Sequence, residues 1–152
     1  MSRVPAGDPT TTLVVVGAHL LGGPLNPALL ALGARFLRAT RTAPVYRMVA
    51  LPAIAADARR PALPPRPGLI RDVAGGTALE VELYELPVPA LGRLMLTVAP
   101  PLAIGTVELA DGSAAPGFVC EGYAAATVPD ISRFGGWRGY LAAAVSVVDA
   151  PS

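Results

Sequence analysis

At 152 residues, with 12 basic against 11 acidic side chains and 53% hydrophobic residues, the chain has the length of one domain and can bury a sizeable core. A net charge of +1 leaves no footprint for nucleic acid or an anionic membrane surface, and no run of about 18 apolar residues is present to span a bilayer. Every basic residue is arginine, which excludes Schiff-base lysine chemistry, while a lone histidine and a lone cysteine, Cys120, exclude an intrachain disulfide and an ordinary zinc site.

The first eleven residues carry Pro5, Gly7, Pro9 and a run of threonines, and read as a disordered tail with no signal peptide. With a cysteine that suits a reducing compartment, this places the expected protein in the cytoplasm. Residues 12–145 should then form one domain, and 146–152 a second tail. Leu13-Val14-Val15-Val16 is a β-branched run that suits a buried strand and breaks at Gly17. The following loop holds His19, Gly22, Gly23 and the chain's one asparagine, Asn26. Asn26-Pro27 reads as a helix start, with Asn as cap and Pro at the first helical position. A strand, a loop with free N–H groups and a helix start in succession make an anion cradle.

A short helix is expected over 27–32, closed by Gly33. Residues 34–42 and 45–51 read as two strands of a hairpin around Pro44. The stretch 52–67, rich in Pro, Ala and Arg, reads as an exposed loop with solvated arginines. Residues 68–72 suggest a short strand, and Gly75-Gly76 a turn. In 77–86, Leu79, Val81 and Leu83 face one way and Glu80, Glu82 and Tyr84 the other; that second face is either wet or the lumen of a small barrel. Leu91, Leu94 and Met95 give 87–98 a helical core spacing. Residues 103–109 and 117–123 form a hairpin across Asp111-Gly112. Asp130 suits an N-cap for a terminal helical segment, in which Trp137, Tyr140 and Leu141 share a docking face. The fold class is α+β, a mixed, mostly antiparallel, barrel-like sheet with short peripheral helices. The apolar excess fits a filled barrel or a homo-oligomer interface.

Several collinear pieces resemble the C-terminal domain of allophanate hydrolase: Gly17-Ala18-His19-Leu20 with Pro24-Leu25-Asn26, Arg38 to Pro44 followed by Tyr46-Arg47, Pro67-Gly68-Leu69, Glu80-Val81-Glu82, Ile104-Gly105-Thr106-Val107-Glu108-Leu109, and Gly135-Gly136-Trp137-Arg138. The resemblance runs from about Leu13 to Leu141 and implies a fold like that of γ-glutamyl cyclotransferases. It implies decarboxylation of N-carboxycarbamate to carbamate and carbon dioxide, with His19 as the catalytic residue. The helix expected over 88–98 lacks the acidic residue of the cyclotransferases, which speaks against their activity; Glu121 is the carboxylate that would have to replace it.

The chemistry fits that implication. Loss of carbon dioxide leaves negative charge on nitrogen, and a histidine near neutral pKa can deliver the proton. Backbone N–H groups of Gly17, Ala18, His19 and Leu20, with Asn26 in the same loop, would hold a carboxylate. An arginine fork would hold another: Arg47 first, Arg41 second, with Tyr46 hydrogen-bonding. Glu80 or Glu82 would orient His19, and Gly105 and Thr106 belong to the expected substrate-binding set through their motif. No metal or organic cofactor is implied. The expected partners are a small dicarboxylate-like substrate and an amidase on a separate chain. The alternatives are a non-catalytic or oligomerising subunit of such an amidase, and a cyclotransferase-like enzyme on another small carboxylate. The 52–67 segment is expected to reshape the pocket mouth.

Overall fold

The computed structural model describes residues 9–149; the outer parts of both expected tails, residues 1–8 and 150–152, lie outside the described residues. Strand β1 (Thr10–Val15) is the centre of a five-stranded sheet. It pairs antiparallel with β5 (Glu80–Pro87), setting Leu13 opposite Tyr84 and Val15 opposite Glu82. On its other side it runs parallel to β7 (Ala114–Cys120), meeting it at Val14 and Gly117. The glycine is required there: a Cβ at 117 would sit 2.6 Å from the Val14 Cβ. Strand β6 (Leu102–Glu108) completes the expected hairpin with β7, which starts and ends three residues earlier than the expected 117–123. Its turn is held by Asp111, whose Oδ1 accepts from the Ser113 N–H and hydroxyl, and by Gly112 at φ 89°.

The hairpin expected over 34–51 does not form. Strand β2 (Arg35–Arg41) instead pairs with β5 as the sheet's edge, bulged between Phe36 and Arg38. Strand β3 (Tyr46–Leu51) turns away to pair with β4 (Arg66–Arg71) in a separate two-stranded sheet. The reason is burial. All but one residue of β3 and all but Arg71 of β4 are buried, so the pair needs cover that the exposed β2 cannot provide. The two edges of the large sheet meet at one bridge, Thr42 to Leu109, where Ala43 N–H donates to Glu108 O and Ala110 N–H to Arg41 O. The sheet is therefore curled but not a closed barrel.

Helix α1 (Asn26–Ala31) and helix α2 (Val88–Met95) lie near one another against the apolar core, and α3 (Trp137–Asp149) ends the described chain. Strand β1 takes in Thr10 and Thr11, and α3 runs four residues past the expected domain limit of 145. On α2, Ala90 and Leu94 are buried while Met95 is half exposed, so the core stripe is narrower than the spacing suggested. On α3, Trp137 is buried, Tyr140 lies tilted beside it with ring centroids 5.2 Å apart, and Leu141 is partly exposed. The main core joins Leu13, Val15, Met48, Leu69, Leu79, Tyr84 and Leu86. A smaller cluster of Val49, Leu51, Ile70, Cys120 and Ala124 fills the space between β3–β4 and β7. Among the described residues, no helix is long and apolar enough to cross a membrane.

Candidate functional site

The chain leaves β1 through Gly17 into a twice-folded loop. Leu20 N–H donates to Gly17 O, Leu25 N–H to Ala18 O, and Asn26 N–H to Gly23 O. Gly22 takes φ 84°, a left-handed value that suits glycine. Gly17 serves a different purpose: the Pro67 ring of β4 lies where a side chain would begin. This close approach of β4 to the loop brings their residues around one small cavity of about 30 Å³, walled by Gly17, Ala18, His19, Arg66 and Phe118 among others.

The His19 imidazole stacks on Phe118, with ring centroids 4.8 Å apart and planes 19° from parallel. Neither ring nitrogen has a hydrogen-bond partner among the described residues, nor do the backbone N–H groups of Gly17, Ala18 and His19. Burial without a compensating charge lowers the His19 pKa to about 4. The imidazole is thus neutral at pH 7, not near its titration point as expected. Leu20 is also corrected: its N–H closes the turn and its side chain is buried core.

The arginine beside His19 is Arg66, not Arg47 or Arg41. Arg66 opens β4, is 5% exposed, and donates from Nη1 to Pro52 O at 3.0 Å. Its buried Nε has no acceptor among the described residues. Burial draws its pKa below the usual guanidinium value, yet an arginine stays charged at neutral pH. Reading all arginines of 52–67 as solvated missed it. The available signal was its place in Arg66-Pro67-Gly68-Leu69-Ile70, at the start of an apolar run and not within the loop.

The other expected ligand residues lie elsewhere. Arg47 pairs with Asp72 at 3.1 Å and Asp130 at 3.3 Å. Arg41 is exposed on edge strand β2. Tyr46 is buried, and its hydroxyl accepts from the Glu108 N–H at 2.9 Å. Gly105 sits on β6 against the Val119 side chain, and Thr106 beside it is exposed. None of the five lines the His19 cavity; β6 reaches it only through its first residue, Leu102, and β3 and β2 do not reach it. Glu121 is exposed and does not line it either.

Asn26, Glu82 and Glu80 act behind the loop. Asn26 is buried inside α1, not capping it; the cap position is Leu25, with no side-chain bond. Its Nδ2 donates to His19 O and to Tyr84 Oη, both at 2.9 Å. Glu82 is buried rather than wet, and its Oε1 accepts from Leu21 N–H at 2.8 Å and from the Tyr84 hydroxyl at 3.3 Å. Arg138 of α3 donates to Glu82 Oε2, Leu21 O and Glu80 Oε1, at 3.0, 2.7 and 3.2 Å. The carboxylates thus hold the loop that carries His19 and do not touch the imidazole. Burial first, then the Glu82 charge, raises the Tyr84 pKa and keeps its hydroxyl proton in this network. Arg138 was not singled out, although it stands in the Gly-Gly-Trp-Arg motif.

His19 with its neutral imidazole, Arg66 with its spare donor, and Gly17 and Ala18 of the loop with unengaged N–H groups line this one cavity. The set suits a small carboxylate. The profile of the allophanate hydrolase C-terminal domain matches residues 11–142. The chain is 39% identical over 141 residues to a urea amidolyase of Saccharomyces cerevisiae, covering 90% of this chain but 7% of that protein. The crystal structure of a uropathogenic Escherichia coli-specific protein matches with TM-score 0.75 and 34% identity, over 88% of this chain and 97% of that one. Allophanate hydrolase of Kluyveromyces lactis matches with TM-score 0.77 and 35% identity, over 90% of this chain and 22% of that one. The chain belongs to the allophanate hydrolase C-terminal domain family.

Proposed function

We propose that the His19 cavity binds an N-carboxylate and that the chain decarboxylates N-carboxycarbamate in the cytoplasm, after an amidase on another chain has released the amide nitrogen of allophanate. The reading rests on one observation: His19, Arg66 with its spare donor, and Gly17 and Ala18 with their unengaged N–H groups line one cavity. In the reaction the bond from nitrogen to one carboxylate carbon breaks. Its electron pair stays on nitrogen, the carboxylate leaves as carbon dioxide, and a proton goes to nitrogen to give carbamate. Arg66 and the loop N–H groups hold the carboxylate that stays. His19 begins neutral, with a pKa of about 4. Negative charge arriving within a few ångströms raises a pKa by about 1–3. The substrate itself therefore brings His19 to the range in which an imidazolium can protonate nitrogen at pH 7.

The test supplies allophanate with an amidase that lacks its own decarboxylating domain and times isotopic carbon dioxide release. Wild type should accelerate release, His19→Ala should not, and Arg66→Met should raise KM more than it lowers kcat. No acceleration by wild type would remove the decarboxylase reading. Acceleration that survives His19→Ala would remove His19 from the chemistry.

A further inference from the structure

His19 is shared by two cavities. On its second side lies a larger space of about 240 Å³, enclosed by α1, α2 and residues 61–63 of the long loop. Leu25, Leu29, Leu32, Leu63 and Leu94 give it an apolar wall. Besides His19, only Arg93 and Thr97 bring polar side chains, and the Thr97 hydroxyl is already engaged with Leu94 O at 2.7 Å. N-carboxycarbamate, a small dianion without hydrocarbon, has nothing to place against such a wall. By comparison, an apolar cavity of about 150 Å³ accommodates benzene.

We propose that this chamber is a substituent pocket and that the site takes carboxylates or N-carboxylates bearing an apolar tail of four to six carbons. The head lies against Arg66 and the loop N–H groups, the tail passes His19, and the chain ends among the leucines of α1 and α2. The inference rests on the carboxylate reading of the smaller cavity. His19 and Leu25 line both cavities, with Arg66 on one side of them and the mainly apolar wall, rimmed by Arg93, on the other, so that together they suit the two parts of one ligand. The loop residues Pro61, Ala62 and Leu63 close the apolar side.

The test titrates acetate, butyrate and hexanoate against the protein by NMR, reading the ring protons of the chain's one histidine. Each added methylene that is buried should tighten binding by up to about fourfold, so hexanoate should bind at least ~10-fold more tightly than acetate. Ala28→Trp, from an exposed position at the chamber wall, should abolish that gain and leave acetate within about twofold of wild type. Ala62→Trp, on the loop, should do the same if the first variant folds poorly. Acetate binding with no gain for hexanoate would overturn the substituent pocket alone. A gain that persists in both tryptophan variants, or hexanoate binding equally tight in Arg66→Met, would also overturn it. If no carboxylate of the series moves the His19 signals, the carboxylate reading fails and this inference with it.

Discussion

Replacing Asn26 tests whether a buried amide holds the His19 loop in place. Asn26→Ala removes two hydrogen bonds, to His19 O and to Tyr84 Oη, each 2.9 Å long. The Tyr84 hydroxyl keeps its bond to Glu82, but the His19 carbonyl loses its side-chain donor. The buried bond to Tyr84 contributes about 1 kcal/mol net, and the part-buried His19 carbonyl left without its donor costs about 1–2 kcal/mol. The better helix propensity of alanine within α1 returns about 0.5 kcal/mol. The expected loss is about 2 kcal/mol, or roughly 5 °C in Tm for a chain of this size. Asn26→Asp should be worse than alanine, since its oxygens face the His19 carbonyl and add charge near buried Glu82. Urea unfolding at pH 7.5 measures both. A loss under about 0.5 kcal/mol in Asn26→Ala, or wild-type stability in Asn26→Asp, would refute the reasoning.

Other outcomes follow from the same geometry. The His19 pKa is lowered by burial from its ordinary value of 6.5 to about 4. Between these values the unfolded chain takes up a proton that the native one refuses. The stability present above pH 6.5 is therefore lost as pH falls toward 4, by about 2 kcal/mol between pH 8 and 5. Urea unfolding of His19→Gln should lack that component, and parallel pH profiles for the two proteins would contradict it. Arg66→Met should leave stability within about 1 kcal/mol or raise it, because a buried cation with an unsatisfied donor gives way to apolar volume. The same variant should lose carboxylate binding by titration; a large loss of stability would mean that the cation is structural. Gly117→Ala should cost about 1–3 kcal/mol or more by thermal unfolding, since its methyl group meets Val14 of β1 at 2.6 Å and Val107 of β6 at 2.9 Å.

What the sequence by itself determined is what local pattern and turn chemistry dictate. The β-branched run at Leu13 to Val16 becomes the central strand, and Asp111-Gly112 sets the β6–β7 hairpin. The proline-led apolar stretch after 87 becomes α2, and collinear motifs disclosed the family and the loop around His19. Tertiary structure decided which of two eligible neighbours each strand would choose. Residues 34–51 looked like a hairpin because adjacent strands often pair. The buried β3 needed β4 for cover, however, and the edge strand β2 found β5 across a long chain separation. It also decided which charges would be buried. The face of Glu82 read as either wet surface or barrel lumen, and Arg66 read as one more solvated arginine; both are buried. Their burial depends on Arg138 arriving from α3 and on Pro67 closing over Gly17. Desolvation, and with it the neutral state of His19, comes from atoms far away in the chain. A sequence window sees the residue that titrates but not the walls that remove its water.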